Sequence, residues 1–291
     1  MSTIETVSTK VFRRVGIGRS GLAPATRSAD GRRRARFVPK PGPSYGWVLG
    51  PALLILVWSI GSATGMIDRR ILPAPWVAVT TGFRLVAEGR LQSNLLASVE
   101  RAGLGFAFGV LAGVAGALFA GLTRTGGQMF DGIVQIKRAI PIFALLPFLI
   151  LWFGIGEVMK VSVIALGVFV PVYINTYSGL KNIDLRYVEL AETLRVRYRD
   201  FLRHVILPAA LPHFLIGLRL AVIADWLTLI VVERTNATSG IGYMTDLAVT
   251  YAQTDVMLVG LVLYAILGVS SDAVVRLLQR RLLSWQSTIG H

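Results

Sequence analysis

Apolar stretches long enough to cross a lipid bilayer recur along most of this 291-residue chain, and they restrict it to one kind of fold. A hydrocarbon core of ~30 Å takes about 20 helical residues to cross. No water is present there to satisfy a free backbone N–H or C=O, so only helices or closed barrels are viable. Continuous apolar runs, rather than alternating ones, indicate helices. The runs predict six transmembrane helices, at about residues 47–67, 104–122, 133–153, 158–177, 209–232 and 256–275, and hence an all-α polytopic membrane protein. Lys137 and Arg138 interrupt the start of the third run, and Pro141 and Pro147 are expected to kink it. The charged fraction agrees, at 16% against roughly 25% in a soluble domain.

A formal charge of +14 sits on this apolar background. Lys and Arg concentrate in the cytoplasmic loops of helical membrane proteins. Assigning the loops alternately to the two sides places 22 of the 30 basic residues on the side of the N-terminus. Seven fall on the other: Arg69, Arg70, Arg84, Arg90, Arg101, Lys160 and Arg234. Both termini are therefore expected in the cytoplasm. Residues 1–44 hold ten basic and two acidic groups. With their Gly, Ser and Pro they cannot bury a core and are expected to form a disordered tail, solvated or resting on anionic membrane lipid rather than on nucleic acid. Residues 45–92 are expected to hold the first span and a helix at the membrane interface, with Trp76, Val79, Phe83, Val86 and Ala87 on one face over 75–91. Residues 93–285 form the remaining core, with a long loop at 181–208, and 286–291 a short tail.

The chain has no cysteine, three histidines without metal-ligand spacing, and no lysine that follows a glycine, which excludes a phosphate-binding P-loop. No Ser/His pair or paired carboxylates stand at catalytic spacing, so neither an enzyme nor a resident cofactor is expected. In the second span Gly105, Gly109, Gly113, Ala117 and Gly121 form a stripe of small residues, suited to close helix packing within one subunit or across a dimer. Ionisable groups inside spans are costly and mark candidate function. Asp225, with Trp226 beside it, and Glu233 and Arg234 at the end of the fifth span are the candidate substrate-path residues. Arg219 and Asp225 lie ~240° apart around the helix and cannot pair on one face. Asp225 is expected to line the path or to pair with a group such as Arg138.

The most informative segment is 187–212, YVELAETLRVRYRDFLRHVILPAALP. Leu194, Tyr198, Phe201, Leu202 and Val205 recur at helical spacing beside a basic row of Arg195, Arg199 and Arg203. Such a helix must cover its apolar face with either the membrane surface or a partner protein. Glu189-Leu190-Ala191, then position 195, then Val205-x-Leu207-Pro208 resembles the EAA motif of ATP-binding-cassette (ABC) importer permeases. Further runs, in order, are similar to the branch that transports aliphatic sulfonates, taurine and nitrate: Leu149-Ile150-Leu151-Trp152-Phe153-Gly154-Ile155-Gly156-Glu157, Lys181-Asn182-Ile183-Asp184, Trp226-Leu227-Thr228-Leu229-Ile230-Val231-Val232-Glu233, and Ser239-Gly240-Ile241-Gly242-Tyr243. The likeness covers about 45–285 and is nearest to the aliphatic sulfonate permeases.

The resemblance implies a type I importer permease with a coupling element formed by Glu189, Ala191, Glu192, Leu194, Arg195, Val205, Leu207 and Pro208. It also implies a second copy of the chain, two ABC ATPase subunits that bind ATP and Mg, and an extracytoplasmic substrate-binding protein. The location implied is the bacterial inner membrane. Arg195 stands where the motif has glycine and Leu190 where it has its first alanine. Because arginine is strained in a left-handed turn, the helix is expected to run on through 195, supported by Glu192. Permeases for taurine, nitrate or aromatic precursors share these patterns. An ion-driven secondary transporter is a more distant alternative; that class usually shows repeated halves and broken helices around midplane acids, whereas this sequence shows no internal repeat and Asp225 is the only central acid in a span.

Overall fold

The computed structural model describes residues 46–283 except 69 and 124, and among these it contains helices and turns without a strand. The basic segment 1–44, the tail 286–291, Arg69 and Arg124 lie outside the described residues. The helices are α1 (Gly46–Ala63), α2 (Pro75–Ala87), α3 (Arg90–Leu122), α4 (Gly126–Ala139), α5 (Ile142–Phe153), α6 (Glu157–Lys181) and α7 (Leu185–Thr193). They continue as α8 (Tyr198–Asn236), α9 (Ile241–Thr250) and α10 (Thr254–Leu282).

Four of these, α3, α6, α8 and α10, are long and apolar enough to cross a membrane. The expected third span is not one helix. It breaks at Ile140–Pro141 into α4 and α5, bent by 106°. Pro141 disfavours helical backbone at Ile140, which is extended (φ −93°, ψ 116°). The bent pair makes a fifth candidate crossing, and α1 is a shorter apolar helix. Large apolar side chains stand outward on α1, α3, α8 and α10, among them Leu53, Leu111, Leu227 and Leu261. In a bilayer those surfaces need no protein partner, because lipid tails are as apolar as leucine.

At the centre α6 lies between α3 and α8. Val163, Ile164, Val168 and Val172 of α6 are wholly buried. The small residues of α3 face this helix: a Cβ at Gly109 would stand 2.6 Å from Cβ of Val168 and 2.7 Å from the carbonyl oxygen of Ala165. One at Gly113 would meet Val172 at 2.9 Å, and one at Gly105 would overlap Ile164. Backbone-to-backbone contact of this kind requires residues without side chains. On α4, Asp131 accepts hydrogen bonds from the hydroxyls of Tyr173 and Tyr177 at 3.3 Å each, which ties α4 to α6.

Two further boundaries differ from expectation. The interfacial helix ends at Ala87, and Trp76, Val79, Phe83 and Val86 remain exposed while Thr81 and Leu85 are buried. It is held by Asp255 of α10, which accepts from Thr81 Oγ1 at 2.9 Å and pairs with Arg84 at 3.1 Å. The helix of the second span begins at Arg90, well before Leu104, and so crosses the division expected between 92 and 93. Its first turns carry Asn94, Ser98 and Arg101, polar residues that hydropathy excludes from a span but that a buried polar network requires.

Candidate functional site

Two elements at opposite ends of α8 carry polar chemistry. The first is the segment from α7 into α8. Asp184 caps α7 by accepting the N–H of Arg186 at 2.9 Å. The helix then stops. Arg195 takes a left-handed conformation with φ of 51°, so the expected continuation through 195 does not occur. The Arg195 N–H donates to the Glu192 carbonyl at 3.0 Å and the Val196 N–H to the Ala191 carbonyl at 2.9 Å. These bonds form the Schellman arrangement that closes helices ordinarily ended by glycine. They satisfy two carbonyls at the end of the helix, and two such bonds, worth about 0.5–1.5 kcal/mol each, offset about 1–2 kcal/mol of left-handed strain at arginine. Arg195→Gly is therefore expected to stabilise this turn by about 1 kcal/mol, somewhat less than the relieved strain because glycine also frees the unfolded chain. Hydrogen exchange at the amides of 195 and 196 would read it, and unchanged or weaker protection would reject the strain argument.

No residue of α7 is buried. Leu185, Tyr187, Leu190 and Leu194 are exposed, as are Glu189 and Glu192, while Ala191 is half-buried. Between α7 and the start of α8 lies a cleft of about 450 Å³ lined by Val188, Ala191, Glu192, Arg195, Val196, Tyr198 and Phe201. The turn thus splits the expected amphipathic face: Leu194 and Tyr198 stay exposed, Phe201 is buried, and Leu202 and Val205 are half-buried. Residues Leu202–Ile206 widen into a π-type turn. Pro208 explains it, since it has no N–H for the His204 carbonyl and its ring would strike that carbonyl in a regular helix. Leu207 is exposed and Pro208 half-buried.

At the other end of α8 is a closed ionic network that sequence reading divided among separate loops. Arg101 is buried in α3 and spends every N–H of its guanidinium. Nε and Nη2 grip Glu157 at 2.6 and 2.8 Å, and Nη1 reaches Glu233 at 2.9 Å. The remaining two N–H groups donate to the Ser239 carbonyl at 2.6 Å and the Ser239 hydroxyl at 2.9 Å. Lys160, also buried, pairs with Glu157 at 2.9 Å. Glu233, 1% exposed, further accepts from Ser98 Oγ at 2.8 Å and from the Gly242 N–H at 2.8 Å. Two cations and two carboxylates balance, and the hydrogen bonds meet the requirement that a buried charge be fully partnered. Arg101 and Lys160 are therefore internal helix residues and not loop charges.

The network pins the turn into α9. The Gly240 N–H donates to Asn94 Oδ1 and the Ile241 N–H to Ser98 Oγ, each at 2.8 Å. Gly240 has φ of 121°, and a Cβ there would fall on the Glu233 carboxylate, so only glycine fits. The Glu233 carboxylate stands against the first N–H groups of α9, where the helix dipole favours negative charge.

The other candidate residues separate. Arg234 is half exposed, pairs with Asp246 at 3.2 Å, and lines a cavity of about 360 Å³ with Ile71, Leu72, Ile230, Thr245 and Met257. Asp225 is 4% exposed and makes no ion pair with Arg138, which is exposed. Arg219 finds a partner that its own helix could not supply: Asp272 of α10, at 2.7 Å, which Arg276 also approaches at 3.3 Å.

Long apolar helices, a proline-broken pair, an exposed helix before one end of α8 and a largely buried polar network at the other describe a multi-pass helical membrane protein. Residues 105–284 match the family described as binding-protein-dependent transport system inner membrane component, and the chain belongs to that family of ABC permeases. It is 38% identical over 269 residues to SsuC of Bacillus subtilis strain 168, provisionally named an aliphatic sulfonates transport permease protein, covering 91% of this chain and 94% of that protein. It is 43% identical over 239 residues to the SsuC of Escherichia coli K12, which bears the same provisional name, covering 82% and 90%. It is 33% identical over 246 residues to the taurine transport system permease protein TauC of E. coli K12, covering 82% and 88%. Among solved structures, a chain of an amino acid ABC transporter superposes with a TM-score of 0.58 at 20% identity, covering 68% of this chain and 96% of that one. That likeness establishes a shared fold.

Proposed function

We propose that this permease forms the membrane pathway of an ATP-driven importer of small organic sulfonates. Two copies would assemble with two ATPase subunits that bind ATP and Mg, and an extracytoplasmic binding protein would deliver the substrate. The observation that carries the reading is the α7 element. It is a charged helix whose Leu185, Tyr187, Leu190 and Leu194 side chains stay exposed among the described residues, locked by a turn to a cleft and to the transmembrane helix that follows. Such an element acts as a rigid lever: movement of a partner seated on Leu190, Leu194 and the adjoining cleft is passed along α8 through the π-turn to the far network. Glu189, Ala191, Glu192, Arg195, Val205, Leu207 and Pro208 belong to this lever. In this reading the basic loops, α7 among them, and both termini face the cytoplasm, and α9 lies outside.

Identity to the two sulfonate permeases favours an alkanesulfonate, and identity to TauC keeps taurine as the second reading. Arg234 is the guanidinium placed to meet a sulfonate at the outer cavity, with apolar neighbours suited to a short alkyl chain. In proteoliposomes holding the chain, its ATPase and the binding protein, radiolabelled ethanesulfonate should accumulate only with ATP, and Arg234→Ala should reduce its uptake. Uptake by the chain alone without ATP would overturn the importer reading. Undiminished uptake by Arg234→Ala would remove that residue from the path.

A further inference from the structure

Asp225 stands in the middle of α8 beside a cavity that offers it no counter-charge. Its side chain is 4% exposed, and Oδ1 meets no hydrogen-bond partner. The adjoining cavity, about 320 Å³, lies among α3, α8 and α10, and Asp225 is the only ionisable group in its wall among the described residues. The other lining groups are apolar or aromatic, including Ala102, Phe106, Trp226 and Leu267, together with Ser271. The polar groups there are mutually engaged: the Trp226 indole N–H donates to Ser271 Oγ at 3.2 Å, and that hydroxyl donates to the Leu267 carbonyl at 2.7 Å. Arg219 on the same helix is held by Asp272.

A carboxylate in an apolar setting stays ionised only beside a cation or hydrogen-bond donors and otherwise takes up a proton, so a cation that enters the cavity gains a charge partner the protein itself does not supply. A carboxylate that shares the wall of a mostly apolar cavity with a phenyl and an indole ring has the composition of an ammonium site, because aromatic faces attract cations most strongly when these are desolvated. The volume suits a small ligand. Depth selects its source. About 16 Å of helix rise separates Asp225 from Asn236, which puts the carboxylate near the middle of a ~30 Å core, out of reach of a lipid headgroup held at the interface.

We infer that the Asp225 cavity binds a small lipophilic amine through its ammonium group, at a site separate from the path of an anionic solute. An arylalkylamine of the size of 2-phenylethylamine has the matching parts: one cation for the carboxylate and one apolar body for the walls.

The test is calorimetric titration of the full chain in nanodiscs with 2-phenylethylamine, with 2-phenylethanol as the neutral probe of the same shape. Binding should be saturable above partition into empty discs, absent for the alcohol, and weaker by about tenfold or more in Asp225→Asn, since a charge-assisted hydrogen bond is lost. Phe106→Leu should weaken it by a smaller factor. Asp225→Asn removes a buried charge without changing shape, and a thermal unfolding transition equal to or above that of the unmodified chain confirms that it is folded. Binding that persists in folded Asp225→Asn, or that is as tight for the alcohol, would overturn the site. Discs of phosphatidylglycerol with and without phosphatidylethanolamine should give the same affinity; competition by the ethanolamine lipid would make a headgroup the occupant and defeat the depth argument.

Discussion

Arg101→Met is expected to destabilise the folded chain by about 3–5 kcal/mol, the cost of leaving one partner of a buried ion pair uncompensated. The stranded group is Glu233, whose side chain is fully buried and loses its only cation. Glu157 is affected less, because its side chain is 59% exposed and retains Lys160. Ser98 and the Gly242 N–H still reach Glu233, but neutral donors do not balance a buried charge. The energetic logic predicts rescue. Adding Glu233→Gln removes the stranded charge and should recover most of the loss, since a buried pair replaced at both ends costs little. Unfolding midpoints of the two single variants and the double variant, measured by denaturant titration in micelles, form the cycle that isolates the coupling. Additive losses would show that the network is a set of independent contacts.

This network also marks where sequence reading stopped. Apolarity locates the long helices because the bilayer imposes one length on each, and α6, α8 and the apolar part of α10 lie where hydropathy places them. It misplaces the start of α3 for the same physical reason. A helix that carries Asn94, Ser98 and Arg101 inward looks like a loop to any measure that treats burial and apolarity as one quantity. A signal was present: Asn94, Ser98 and Arg101 precede Gly105, Gly109 and Gly113 at spacings of three and four, so the small stripe continues into a polar one on the same face. Glu233 was noticed as an acid at a helix end, but its partners come from α3 and from a turn nine residues on. Such convergence is a property of packing and leaves no local trace.

The segment 187–212 teaches the complementary lesson. Its helical periodicity at Leu194, Tyr198 and Phe201 is genuine, yet the chain turns in its midst. Intrinsic preference argued that arginine at 195 keeps a helix going. The capping bonds from Arg195 and Val196 override that preference, because the two together are worth about as much as the strain. A motif position usually held by glycine therefore keeps its left-handed shape after glycine is gone. Asp184, Pro141 and Pro208, by contrast, act as their chemistry predicts, as a cap, a break and the cause of a widened turn.

Alanine substitutions at two glycines of α3, six residues apart, should have opposite signs. Gly109→Ala places a methyl group 2.6 Å from Cβ of Val168 and 2.7 Å from the Ala165 carbonyl oxygen. A flexible side chain could yield, but a backbone carbonyl of α6 moves only with its helix, so α3 and α6 must separate along the stripe. Overpacking of a tight core costs about 1–3 kcal/mol, and here the separation also loosens Gly105 on Ile164 and Gly113 on Val172. At Gly103 an added methyl meets nothing within 4 Å. Alanine there should stabilise by up to about 1 kcal/mol, through its greater helix propensity. Both substitutions change the same helix by the same atom, so propensity and hydrophobicity cancel in the comparison and only the approach of α6 remains. Unfolding midpoints for the two variants decide it. Equal shifts would mean that α3 and α6 are not in backbone contact in the membrane, and that the stripe serves a surface outside this chain.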